Sequence, residues 1–225
     1  MGASSALQLI LSLGHPESFA RDDFIAGASN AAALALIDAW PEWPDRIVAL
    51  IGPEGAGKSH LASMWGEKTG ARFLSSRLLG ETDLPAMLST GALVIEDLPS
   101  RLDEVALFHL LNLARQERAH VLLTARAQPA SWQITLPDLS SRLRALPVVA
   151  LKPPDDALLR ALLVKLAVDR QLDLEEPVLS YLIPRIERSF GGVRSAIARL
   201  DHEAMRRHRP VTRALASELF RDTVF

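Results

Sequence analysis

The sequence predicts an α/β domain built on a five-stranded parallel sheet, followed by a small all-helical domain. Three observations predict it. Short apolar, β-branched runs alternate with helical segments as far as residue 151, the pattern of a parallel sheet wrapped by helices. A glycine-rich turn follows one of these runs and opens a helix. Lys152-Pro153-Pro154 then breaks the alternation, and only helical segments follow.

Each element has its reason. Residues 1–23 read as an irregular tail with one apolar motif. Residues 30–40 are rich in Ala and Leu with no breaker, so they predict a helix capped by Ser29 or Asn30 and ended by Pro41, Pro44 and Asp45. Residues 46–51 form an apolar run of the kind buried on both faces of a sheet. A helix is predicted over 58–68. Residues 71–75, 92–95, 120–124 and 147–151 read as the other strands, with a helix over 103–118 between two of them. Beyond the diproline, helices are predicted over 155–171, 176–189, 193–207 and 212–220, with Gly191-Gly192 separating the second from the third. The organisation is therefore a tail (1–23), an α/β domain (24–151) and a helical domain (152–225).

Composition excludes several classes. The 225 residues suit one large domain or two small ones, and 48% hydrophobic with 23% charged is ordinary globular usage. The 25 Lys+Arg and 27 Asp+Glu give a net charge of -2, so a wholesale basic footprint for nucleic acid is absent. The acidic excess sits in residues 1–151, and residues 152–225 are net basic. With no cysteine there is no disulfide framework, thiolate metal site or Cys nucleophile. No segment is long and apolar enough to predict a membrane span. The patch from Leu7 to Leu13 has no Lys or Arg before it, so a secretory signal is not expected.

The chemistry centres on Gly52-Pro53-Glu54-Gly55-Ala56-Gly57-Lys58-Ser59, which fits G-x-x-x-x-G-K-[ST]. Glycines let the backbone curl so that successive N–H groups face phosphate oxygens. The helix that follows presents its N-terminal dipole to the same anion. Lys58 is the residue expected at the β- and γ-phosphates, and the Ser59 hydroxyl at Mg²⁺. Glu96-Asp97 closes the third strand, where such hydrolases keep their acidic pair. Glu96 is expected to hold Mg²⁺, and Asp97 to orient the attacking water. A metal-holding Asp is more usual than Glu at the first position, and the longer side chain loosens octahedral Mg²⁺ geometry.

With these residues the chain resembles an AAA+ protein of the DnaA clade, and more narrowly the Hda/HdaA family of short DnaA homologues that promote inactivation of the replication initiator. Phe24-Ile25-Ala26-Gly27-Ala28-Ser29-Asn30 is similar to the initiator's F-x-x-G-x-S-N entry beside the adenine. Gly52 to His60, followed by Leu61-Ala62, resembles its G-x-x-G-x-G-K-[ST]-H-L. Leu136-Pro137-Asp138-Leu139-Ser140-Ser141-Arg142-Leu143 resembles the L-x-D-L-x-S-R-L segment of Hda, which makes Arg142 the expected arginine finger, with Arg144 the next candidate. Gly192-Val193-Arg194 resembles the sensor 2 segment of the helical lid, whose Arg touches nucleotide phosphates. The resemblance implies ADP or ATP with Mg²⁺, bound through Phe24, Asn30, residues 52–60 and Arg194. Arg126 stands where the initiator has an acidic sensor 1 residue, so weak intrinsic hydrolysis is expected.

Gln8-Leu9-Ile10-Leu11-Ser12-Leu13 resembles the Q-L-x-L-x-L peptide with which Hda binds the sliding clamp. Gln8 supplies an amide, and Leu9, Leu11 and Leu13 supply the side chains for an apolar cleft. The partners implied are the DnaA initiator and the β sliding clamp of DNA polymerase III. DNA is then reached only through the clamp, and a second copy of this chain is a further candidate. Little sequence follows Arg194, so the initiator's helix-turn-helix DNA-binding domain is not expected. Arg206-Arg207-His208-Arg209 reads as a solvated helix end rather than a DNA contact. The location implied is cytoplasmic, at the nucleoid or replisome. A helicase loader of the DnaC type, or a transposition ATPase, is the alternative. It would hydrolyse its own ATP and act on single-stranded DNA.

Overall fold

A computed structural model describes residues 19–99 and 101–221. Strands β1 (Ile47–Ile51), β2 (Arg72–Ser75), β3 (Ala92–Leu98), β4 (His120–Ala125) and β5 (Val148–Ala150) form one sheet in the order β2-β3-β4-β1-β5. Every pairing is parallel. Central β1 is buried at all five positions, as its unbroken apolar run dictates. Its side chains alternate. Ile47, Ala49 and Ile51 point into one apolar layer, and Val48 and Leu50 into the other.

The first layer is closed by α3 (Leu84–Leu88), α4 (Glu104–Gln116) and α5 (Pro137–Ala145). The second is closed by α1 (Ala31–Asp38) and α2 (Lys58–Thr69), with Trp43 stacked on Trp65 at 4.9 Å. Beyond the sheet, α6 (Asp156–Asp169), α7 (Glu176–Leu182), α8 (Phe190–Arg207) and α9 (Arg213–Phe220) enclose a separate core. Leu200 lies at its centre with no exposed surface. Leu200→Ala should lower the stability of this unit by about 2–5 kcal/mol, read as an earlier unfolding midpoint in urea. Among the described residues no helix is long and apolar enough to cross a membrane.

The fold class agrees with the sequence, and several local readings need correction. Neither Ser29 nor Asn30 caps α1 with its side chain. Asn30 reaches backwards instead, accepting from Gly27 N at 2.8 Å and donating to Ile25 O at 3.0 Å. The helix expected over 176–189 stops at Leu182, since Pro184 has no N–H to continue it. Gly191-Gly192 does not separate two helices but lies in the first turn of α8, which Ser189 caps by accepting from Gly192 N at 2.9 Å. The segment around Arg142, for which the sequence predicts no element, is helix α5. Pro137 sits at its start, and Leu139 and Leu143, spaced i and i+4, are buried.

Candidate functional site

In open α/β sheets, ligands gather outside the carboxyl ends of the strands. Here β1 runs into the glycine-rich loop, β3 ends at the acidic pair and β4 ends beside Arg126. A cavity of about 760 Å³ lies at this edge, between the loop and the helical domain. Its walls include Phe24, Asn30, the run from Glu54 to His60, Asp97, Arg126 and Arg194. The cavity joins loop 54–60 to Arg194 of α8, at least 134 positions further along the chain, so these residues meet only through the fold.

The loop's shape demands its glycines. Gly55 and Gly57 have φ of 70° and 98°, a region that side chains rarely adopt. A Cβ at Gly55 would also stand 2.6 Å from Ser189 Cβ. The helical domain touches the loop directly here, for Phe190 N donates to Gly55 O at 3.0 Å. Gly52 and Pro53 do not line the cavity. Their carbonyls each accept from Lys58 Nζ at 2.8 Å and so hold the ammonium in place. Two of its three donors are used, which leaves one for an anion. Lys58 is buried, and desolvation lowers its pKa, while the Asp97 carboxylate opposes that shift.

The two acidic residues diverge. Asp97 has φ of 54°, at an irregularity in the β3–β4 register, and lines the cavity. Its N–H donates to the buried Thr124 Oγ1 at 3.0 Å. Glu96 lies in register with Ser75 of β2 and does not line the cavity. Arg126 is paired with Glu54 at 2.6 Å, both largely exposed. His60 is packed edge-on by Phe19 and Phe24. Its Nε2 lies 2.9 Å from Ala20 O, and since a carbonyl only accepts, that nitrogen carries the proton. Arg194 lies over the Phe190 ring, and burial lowers its pKa.

The donor set fits a polyphosphate. Glycines keep side chains out of the loop, a helix begins at Lys58, and three cationic side chains, Lys58, Arg126 and Arg194, line the cavity. A hydroxyl, Ser59, and a carboxylate, Asp97, line the same cavity. That is the oxygen set Mg²⁺ takes beside phosphates.

Residues 155–218 match the family model described as the Hda lid domain. The chain has an AAA+ fold with a lid of the Hda type. Domain III of the replication initiation protein DnaA from Thermotoga maritima superposes with a TM-score of 0.75 at 20% identity, over 92% of this chain and 97% of that one. AMPPCP-bound DnaA from Aquifex aeolicus gives 0.64 at 18%, over 83% and 68%. The RuvB Holliday junction branch migration motor of T. maritima gives 0.69 at 19%, over 89% and 70%. At these identities the structures speak for the AAA+ fold, and the lid match for the Hda relation.

Arg142 does not line the cavity. It sits on α5, where its guanidinium lies 4.9 Å over the Phe108 ring and donates to Asn112 Oδ1 at 2.5 Å. Sequence reasoning missed Ser189 and Phe190, which join lid to loop. A Ser three residues before the N–H it caps was the available signal. It also missed the Glu54–Arg126 pair, which no local pattern announces. Gln8, Leu9, Leu11 and Leu13 lie outside the described residues.

Proposed function

We propose that this chain is a DnaA-related regulator of replication initiation that binds an adenine nucleotide and stimulates ATP hydrolysis by the initiator. The cavity between a glycine-rich loop and an Hda-type lid carries this reading. The DnaA relative bound to AMPPCP supports the ligand class. The loop N–H groups, Lys58 and Arg194 would hold the phosphates, with Phe24 and Asn30 lining the cavity beside the loop. Mg²⁺ would be held by Ser59 and Asp97 and would neutralise phosphate charge there. Arg126, already engaged by Glu54, replaces an acidic sensor, which supports weak hydrolysis by the chain itself. Arg142 of α5 does not line the chain's own cavity, as expected of a group that serves a neighbour's nucleotide. The setting is cytoplasmic, at the clamp on DNA.

Initiator ATP hydrolysis, measured with this chain, clamp and DNA each omitted in turn, tests the whole reading. Full activity should need all three. Hydrolysis unchanged by their addition would overturn it. A pull-down with clamp, set beside one with a replicative helicase, separates this reading from a helicase loader.

Clamp association should depend on the tail alone. Replacing Gln8, Leu9 and Leu11 by Ala is expected to abolish co-elution with the clamp and to leave nucleotide affinity unchanged, because independent sites act additively. A triple variant that still co-elutes rules the motif out.

A further inference from the structure

Helix α4 carries Glu104, Phe108 and Asn112 at i, i+4 and i+8, so the three form one row about 12 Å long. All three are half-buried and all three meet the α5 segment. The Glu104 carboxylate accepts from Thr135 N, Thr135 Oγ1 and Leu136 N, at 2.8–3.0 Å. Leu136 caps α5 with no side-chain bond of its own, so Glu104 fixes the entry to that helix from outside. The Phe108 ring lies under the Arg142 guanidinium, and Asn112 Oδ1 accepts from Arg142 Nη1. On its other side α4 buries Leu107, Leu110 and Leu111 in the sheet core, and α5 buries Leu139 and Leu143 in the same core.

We propose that this row of α4 is the mount that presents Arg142, with Glu104 setting where α5 begins and Phe108 and Asn112 setting the direction of the guanidinium. The proposal rests on the reading of Arg142 as the group offered to a partner's nucleotide. An unsupported arginine has many rotamers, and ordering it at the moment of reaction raises the barrier. A ring beneath the plane and an acceptor at one nitrogen hold the fork in one orientation beforehand. One of five N–H groups is engaged by Asn112. A two-pronged edge is left for phosphate oxygens. Phe108 and Asn112 are thus positioning residues, acting through Arg142.

The test is ATP hydrolysis by the purified initiator with clamp and DNA, titrated with the full chain. Asn112→Ala and Phe108→Leu should lower the maximal stimulated rate about tenfold. The half-saturating concentration should stay at the wild-type value, and the thermal unfolding midpoint should fall by only a few degrees. Phe108→Tyr, which keeps the ring, should keep the rate. Should Phe108→Leu fail to fold, the half-buried polar Asn112 decides the matter. A full maximal rate in Asn112→Ala and Phe108→Leu, beside none in Arg142→Ala, overturns the mount and leaves the role of Arg142 standing. Full stimulation by Arg142→Ala overturns the reading beneath it. A raised half-saturating concentration or a lower midpoint, with the maximal rate intact, makes the row merely structural and also overturns the mount.

Discussion

Arg142→Ala is expected to reduce the stimulated rate of initiator ATP hydrolysis about 10³-fold. Folding, nucleotide binding and clamp binding should persist. Phosphoryl transfer leaves little covalent work for a protein, so a cation placed at the developing charge carries much of the effect. Arg142 does not line the chain's own cavity, and its removal therefore leaves that site intact. Helix α5 is held by Leu139 and Leu143, which are untouched. The lost ring contact and hydrogen bond are worth about 1–2 kcal/mol at most. Arg142→Lys should also lose most of the stimulation, because an ammonium cannot grip two oxygens at fixed spacing. Wild-type stimulation by the Ala variant would move the role to Arg144, which lies two residues along α5 and so projects from a different side of the helix.

Lys58→Ala should weaken ADP and ATP binding about 100-fold, as titration calorimetry would show. The ammonium is buried and carries two backbone hydrogen bonds that aim it into the loop. Without it, the phosphate charge meets backbone dipoles alone at that point. Asp97, which now faces Lys58, would be left as an uncompensated carboxylate beside an anion. Unchanged affinity would sink the assignment of the loop.

The layout of the sheet was legible because β1, β3 and β4 are buried on both faces and so read as unbroken apolar runs. The loop was legible because its glycines, Lys58 and Ser59 are contiguous. What stayed hidden depends on contacts between distant residues. Glu54 and Arg126 meet because β1 and β4 are neighbours in the sheet, a pairing that no local pattern encodes. Asp97 turns into the cavity through one register shift in β3, whereas a regular strand would have alternated the pair without showing which residue faces the ligand. Gly191-Gly192 looked like punctuation. At Gly192 the cause is space, since a Cβ there would stand 2.4 Å from Glu187 O.

The hydrogen bond from Phe190 N to Gly55 O has a kinetic meaning. The carbonyl that receives the lid belongs to the peptide run whose N–H groups face the cavity. Loop and lid are therefore tied across the cavity, and any parting of the two must break this bond. Domain openings of this kind fall in the microsecond-to-millisecond range or slower. Where such opening is slower than the breaking of a bound molecule's own contacts, residence time becomes a property of the lid.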